Sequence, residues 1–311
     1  MNTEDSTVEE ITVSSHVKLV SNSDCTITRT SAFASVNLFQ VNSKASLTIE
    51  DANAGGTLTL DGGGTDVSAT ASLIKVSGTL VLNEKSVLQN NNCKEAYGTS
   101  GSAVYSNGGT IKVSGATINN NSNNYSGSYG GAIYIENGTL NITSGLFKNN
   151  STYKNGGAIY VTGGTVNITG GEFTNNIVSS GSYKTETSYG GSAIYIDSAT
   201  TSISSVEFKN NITYDGVGTL LVTNIGDENT PATINNCTFN NNKAYQNGAA
   251  IYTGGASYIE ITSCNFTENT VTNTDSTTGT GTGEQSDVYI GNNSGWTKID
   301  GTEYSEAWSS N

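Results

Sequence analysis

Residues 129–176 read Y-G-G-A-I-Y-I-E-N-G-T-L-N-I-T-S-G-L-F-K-N-N-S-T-Y-K-N-G-G-A-I-Y-V-T-G-G-T-V-N-I-T-G-G-E-F-T-N-N, and the second half repeats the first. Gly-Gly-Ala-Ile-Tyr is followed by Gly-Thr-aliphatic-Asn-Ile-Thr and then by Phe-x-Asn-Asn, twice in the same order. Self-similarity at a period of this size marks an array whose neighbouring units bury a shared core.

Outward from this stretch the pattern continues in both directions. Segments of the Ala-Ile-Tyr type start at Ala103, Ala132, Ala158, Ala193, Thr219 and Ala250. Phe147, Phe173, Phe208, Phe239 and Phe266 each have an asparagine three residues on: Asn150, Asn176, Asn211, Asn242 and Asn269. Leu88 and Ile118 hold the Phe position in earlier units, ahead of Asn91 and Asn121. In the unit beginning at Ala158, Ile159 and Val161 share one side of a pleat, as do Val166 and Ile168, then Gly171 and Phe173. Gly or Asn lies where the parity breaks. Three short strands per coil and no helical period predict an all-β parallel β-helix, a solenoid of nine or ten coils stacked at ~4.8 Å. A propeller blade would need hairpin turns that the sequence lacks.

The domain reading follows. Residues 1–10 are an acidic, frayed terminus; 11–99 are degenerate first coils; 100–290 are the regular array; 291–311 form a last coil or cap. With no signal-like core in residues 1–20 and no hydrophobic tail, the expectation is a piece of a longer exported protein. The net charge of −14 and a single arginine, Arg29, argue against binding nucleic acid or anionic lipid, and no run is long enough to insert in a membrane.

Stacked coils align identical residues. The asparagines are expected to form a column of bonded amides at one bend, where Asn also tolerates left-handed backbone, and the Phe residues to fill the core. Cys237 and Cys264 fall at equivalent inward positions one coil apart and read as buried thiols, with a disulfide as the alternative. Tyr105, Tyr134, Tyr160, Tyr195 and Tyr252 alternate with inward aliphatics, so they are predicted to face out; the row reads either as strand residues stacked on their neighbours, the favoured reading, or as an exposed stripe that sugar rings or a partner protein could use. Length variation collects between Phe-x-x-Asn and the next Ala-Ile-Tyr, at 151–157, 177–192 and 270–286. Those insertions emerge from one edge and carry Tyr183 and Tyr189 among Ser, Gly and Asn, a composition suited to adaptable contact.

Chemistry is sparser. Glu172 and Glu207 precede Phe in adjacent coils and would stack outward roughly 5 Å apart, a separation compatible with a retaining glycosidase pair, but nothing around them suggests a substrate subsite and Lys209 could neutralise them, so a solvated stack is the favoured reading. Asp61 and Asp66 in D-G-G-G-T-D could take calcium; no other cofactor is indicated. The lone His16 has no nucleophile in register.

The Gly-Gly-Ala-Ile copies (130–133 and 156–159, with G-S-A-I and G-A-A-I variants) in phase with five Phe-x-x-Asn copies resemble the repeats of the chlamydial polymorphic membrane proteins and similar adhesin-like surface proteins. The resemblance covers roughly residues 100–270. It implies a right-handed, pectin-lyase-like parallel β-helix, displayed extracellularly on a cell surface and used in adhesion to a glycan or protein. On this reading the chain is a non-enzymatic adhesin or stalk that binds through its loop edge; a carbohydrate-cleaving β-helix acting through Glu172 and Glu207 is the alternative.

Overall fold

In the computed structural model the chain is an all-β parallel solenoid; residues 9–51, 55–94, 101–179, 189–214, 216–272, 287–305 and 308–309 are described. Neighbouring coils pair in parallel and in register, so that Ile133, Ile159, Ile194, Leu220 and Ile251 stand in one row. Inward residues of the large sheet merge into one apolar core from Val13 to Ile299, and Ala244, Ala249 and Val271 form a small separate cluster. Within it the rings of Phe147, Phe173, Phe208, Phe239 and Phe266 stack at 4.5, 5.4, 4.6 and 5.3 Å between centroids.

Besides the three strand rows of the large sheet, each regular coil contributes a fourth, very short strand. Asn92–Cys93, Ser122–Asn123, Ser151–Thr152, Ile177–Ser179, Ile212–Tyr214, Lys243–Ala244 and Thr270–Val271 form their own parallel sheet. Residues 151–157 and the start of 177–192 are therefore part of the solenoid wall, which revises their reading as free insertions. The residues between 179 and 189, and between 272 and 287, lie outside the described set.

At the bend after Phe the two asparagines divide the work. The first is left-handed: φ is 54° at Asn149, 55° at Asn175, 54° at Asn210 and 52° at Asn241. The second, with conventional backbone, builds the column. This corrects the expectation that one residue does both. Asn176 accepts on Oδ1 from the backbone N–H (3.0 Å) and Nδ2 (3.1 Å) of Asn150. Its own Nδ2 donates to Asn211 Oδ1 (3.0 Å) and back to the carbonyl of Phe147 (2.9 Å). The same bonds recur from Asn121 to Asn269, all buried. The left-handed first glycine of Gly-Gly (φ 62° at Gly130, 68° at Gly156) turns the chain into the next strand.

The column is polar along its length: amide oxygens point to earlier coils and NH2 groups to later ones. At its first member the guanidinium of Arg29 donates to Asn91 Oδ1 (2.8 Å), and at its last Asn269 Nδ2 donates to the buried carboxylate of Asp287 (3.1 Å). Burial lowers the Arg29 pKa to about 10, and it also donates to the carbonyls of Val36, Ala71 and Ser72. A C-terminal antiparallel hairpin, Trp296–Ile299 with Thr302–Tyr304, lies beside the last core rows, and Trp308 meets Phe266 edge-on at 5.4 Å.

Replacing Asn176 by Ala removes the acceptor of the Asn150 N–H and of one of its NH2 hydrogens, the other staying on the Ile118 carbonyl, and takes a donor from the Phe147 carbonyl in a dry bend; it is expected to cost about 3 kcal/mol. Asn175→Ala is expected to cost ~1 kcal/mol, for left-handed strain alone, and Asn175→Gly close to none. Denaturant unfolding of the three variants checks this; equal losses at 175 and 176 would contradict the division of labour.

Candidate binding face

The tyrosine row is in register: Tyr105, Tyr134, Tyr160 and Tyr195 are successive cross-strand partners, Leu221 takes the next place, and Tyr252 and Tyr289 follow. Ring centroids are 5.7, 5.1 and 5.0 Å apart over the first four and 5.5 Å for the last pair. The row points away from the core, as period two requires. It is not, however, an exposed stripe. Tyr134 and Tyr160 are each 9% exposed, Leu221 is buried, and Tyr105, Tyr195 and Tyr252 are half-buried.

Residues of the loop edge supply the cover. Tyr129 lies flat on Tyr160 with centroids 4.9 Å apart. Lys154 places its ammonium 5.8 Å from the Tyr129 ring and 5.1 Å from that of Tyr189. A ladder of bridges through Tyr129, Asn155, Gly190 and Val217 fixes this edge to the solenoid. Row and edge, expected as two separate features, are one aromatic surface. Tyr183 lies outside the described residues.

Two carboxylates missed in the sequence lie on this face. Glu136 accepts from the phenols of Tyr105 (2.8 Å) and Tyr134 (2.9 Å) and from Asn107 Nδ2 (3.1 Å). Asp197 Oδ1 accepts from Ser198 (3.0 Å), Thr223 (3.0 Å) and Asn224 (2.9 Å), and Thr223 in turn meets the Tyr195 hydroxyl at 3.2 Å. Each acid follows its tyrosine by two residues, the spacing that puts both on one side of a strand; that signal was available in Y-I-E and Y-I-D. Burial foremost, and the Glu136 bonds next, push the Tyr105 phenol up; burial likewise raises Tyr134, Tyr160, Tyr195 and Tyr252.

The other sequence candidates are dispersed. Glu172 and Glu207 are register partners in a row that runs from Leu146 to Thr238, Glu172 half-buried and Glu207 exposed. They lie on a plain strand row, apart from the tyrosine face. Asp61 commits its carboxylate to Gly63 N–H (2.8 Å), Gln89 (2.7 Å) and Asn90 (2.7 Å), which makes it a loop brace, while Asp66 is exposed in a short 3-10 turn. Among the described residues no three His, Cys, Asp or Glu side chains converge as a metal cluster. His16, expected to have no nucleophile in register, in fact faces a hydroxyl: Ser46 is its register partner on the next coil, 2.8 Å from the ring Nδ1, at an exposed position. Cys237 and Cys264 are free thiols in adjacent coils; the Cys237 thiol is raised by its hydrogen bond to Cys264 and by burial.

Two segments, 144–162 and 236–254, match the model of the Chlamydia polymorphic membrane protein repeat. Each match runs from the bend before Phe, through the ladder asparagine and the short fourth strand, into the Ala-Ile-Tyr strand. The chain thus carries repeats of this type, from a family of cell-surface proteins, which supports an extracellular or surface location. No curated protein and no solved structure matches the chain.

The phenols have an alkaline consequence. With folded-state values above the ordinary 10.0, the fold holds protons that the unfolded chain releases, so their contribution is full below about pH 10 and declines as pH rises above it. Tyr160→Phe, which has no phenol to ionise, is therefore expected to lose less stability than the wild type between about pH 9 and about pH 11. Ultraviolet titration should show part of the tyrosine signal delayed until unfolding; a full phenolate signal at the ordinary value with the fold intact would contradict it.

Proposed function

We propose that the chain is a non-enzymatic, surface-displayed adhesin whose contact surface is the loop edge together with the tyrosine row. The observation that carries this reading is the folding of Tyr129 and Tyr189 from the edge toward the row, around Lys154. An isolated stacked tyrosine ladder is explained by strand packing. With Tyr134 and Tyr160 buried, the half-buried rings Tyr105, Tyr129, Tyr189, Tyr195 and Tyr252, with carboxylates and an ammonium beside them, are what a binding partner could meet. The repeats support the reading at the coarser level of a surface protein.

The solenoid suits display. Its core is spent entirely on stacking, so loops can vary without disturbing the coils above and below. The ligand on this reading is a cell-surface glycan or protein.

Deletion of 180–188, which leaves the paired residues 177–179 and 190–192 in place, and Tyr129→Ala are expected to lower adhesion of protein-coated beads to cells severalfold. Melting should stay within a few degrees for the deletion. Unchanged adhesion in both variants would overturn the loop-edge surface.

A further inference from the structure

In most coils the chain crosses the bend after the tyrosine strand with one or two residues. The coil of Phe39–Val41 uses four, 42–45, and one further coil uses many more. Asp197 pairs with Thr223 and Ser202 with Thr233, so four residues (198–201) on one rung face nine (224–232) on the next. The extra residues stand up as a wall, and between that wall and the preceding rungs lies a groove of about 410 Å3, within the ~300–1,000 Å3 of small-ligand sites. It spans three coils, from Asn167 through Ser198–Ser202 to Asn224–Thr233.

The wall is held in place. The Asp227 carboxylate accepts from the backbone N–H of Asn229 (2.8 Å) and Thr230 (2.9 Å) and from the Thr230 hydroxyl, and these bonds lower its pKa. Asn224 ties the wall's base to both neighbouring coils, donating to Asp197 and accepting from the Ala256 N–H (3.1 Å).

We infer that this groove is a binding site for a neutral oligosaccharide lying along the solenoid axis. Three observations select that class. First, the lining is hydroxyl and amide (Asn167, Thr200, Ser202, Asn224, Thr233), groups that donate and accept as a polyol requires. Second, the lining includes Asp227 and no Lys or Arg, and Asp197 is bonded to Ser198 and Asn224 at its rim, so uronates, sulfated sugars and phosphates are repelled. Third, Pro231 at the groove precedes Ala232, the register partner of Ile259, which puts Tyr258 beside it on the outer side. Trp296 is Tyr258's own partner, its ring edge-on at 5.7 Å with Lys298 over it at 3.9 Å. Pro231 thus lines the groove, and Tyr258, one outward register position beyond its lining, supplies a ring at its end.

A peptide strand does not fit. The floor is the face of a sheet whose backbones already pair on both sides, from Asn167 to Ser202 to Thr233, leaving no edge to extend.

The inference rests on the chain being a binding protein and names a ligand class for a second part of its surface. Calorimetry with malto-, xylo-, manno- and chito-oligosaccharides, against polygalacturonate and heparin fragments, tests it on the full chain. Wild-type protein is expected to bind at least one neutral series and neither anionic one. Thr200→Trp, an exposed position that would fill the groove, should weaken binding about tenfold or more, and Tyr258→Ala severalfold, with melting as a folding control. No binding to any neutral series, equal binding of the anionic ones, or full affinity in Thr200→Trp would overturn the site. If no sugar binds while adhesion through Tyr129 persists, the groove falls and the adhesin reading stands; if adhesion is lacking as well, both fall.

Discussion

The amide–amide hydrogen bond between successive asparagines is the interaction on which this molecule depends. A bend that recurs in every coil must turn several backbone groups away from both sheets, and in a solenoid those groups are buried by the next coil. Asn176 and its equivalents satisfy them with one side chain: an N–H and an NH2 behind, an amide oxygen ahead, and the carbonyl of the previous Phe. No other residue type offers a donor and an acceptor at that length. The aligned amide dipoles run from Asn121 to Asn269 and explain the carboxylate at the NH2 end; at the other end Arg29 holds Asn91, whose backbone N–H joins the column while its NH2 turns to the carbonyls of Ala71 and Ser102.

Fixing that bend fixes the rest. The ladder binds the carbonyl of the Phe residue, so the ring stack and the amide column advance together and neither can slip by one residue without the other. What is left free is the stretch after the short fourth strand and, in one coil, the bend between the tyrosine strand and the next. The first lies beside the tyrosine row and gives the aromatic edge; the second gives the groove. The two surfaces meet at Asp197, which binds Thr223 on the tyrosine side and Ser198 and Asn224 on the groove side.

Repetition is why the scaffold was readable. Asn150 or Phe173 alone says little, but five copies in phase can only be stacked, and the parallel solenoid and both columns follow. The structure adds what repetition does not encode. Period two says which side Tyr160 faces, not that Tyr129 would lie on it. A two-residue strand such as Ser151–Thr152 has no period to detect. The left-handed role of Asn175 and the ladder role of Asn176 are indistinguishable in Asn-Asn until the backbone is seen. Arg29 and Asp287 cap the column from points remote in the chain, and the groove arises where one coil departs from the pattern, so no repeat could announce it.

The register has a mechanical consequence. Every rung is tied to its neighbours by bonds that run along the solenoid axis, so tension applied between the two ends loads one coil boundary at a time instead of shearing many strands together. A chain loaded in this way would yield by peeling. Each coil of 26 to 35 residues, as between Ala132, Ala158 and Ala193, would release roughly 90–120 Å of slack before the next amide takes the load. A solenoid built this way would give ground in steps, and a released coil would find its template still standing when the force relaxes.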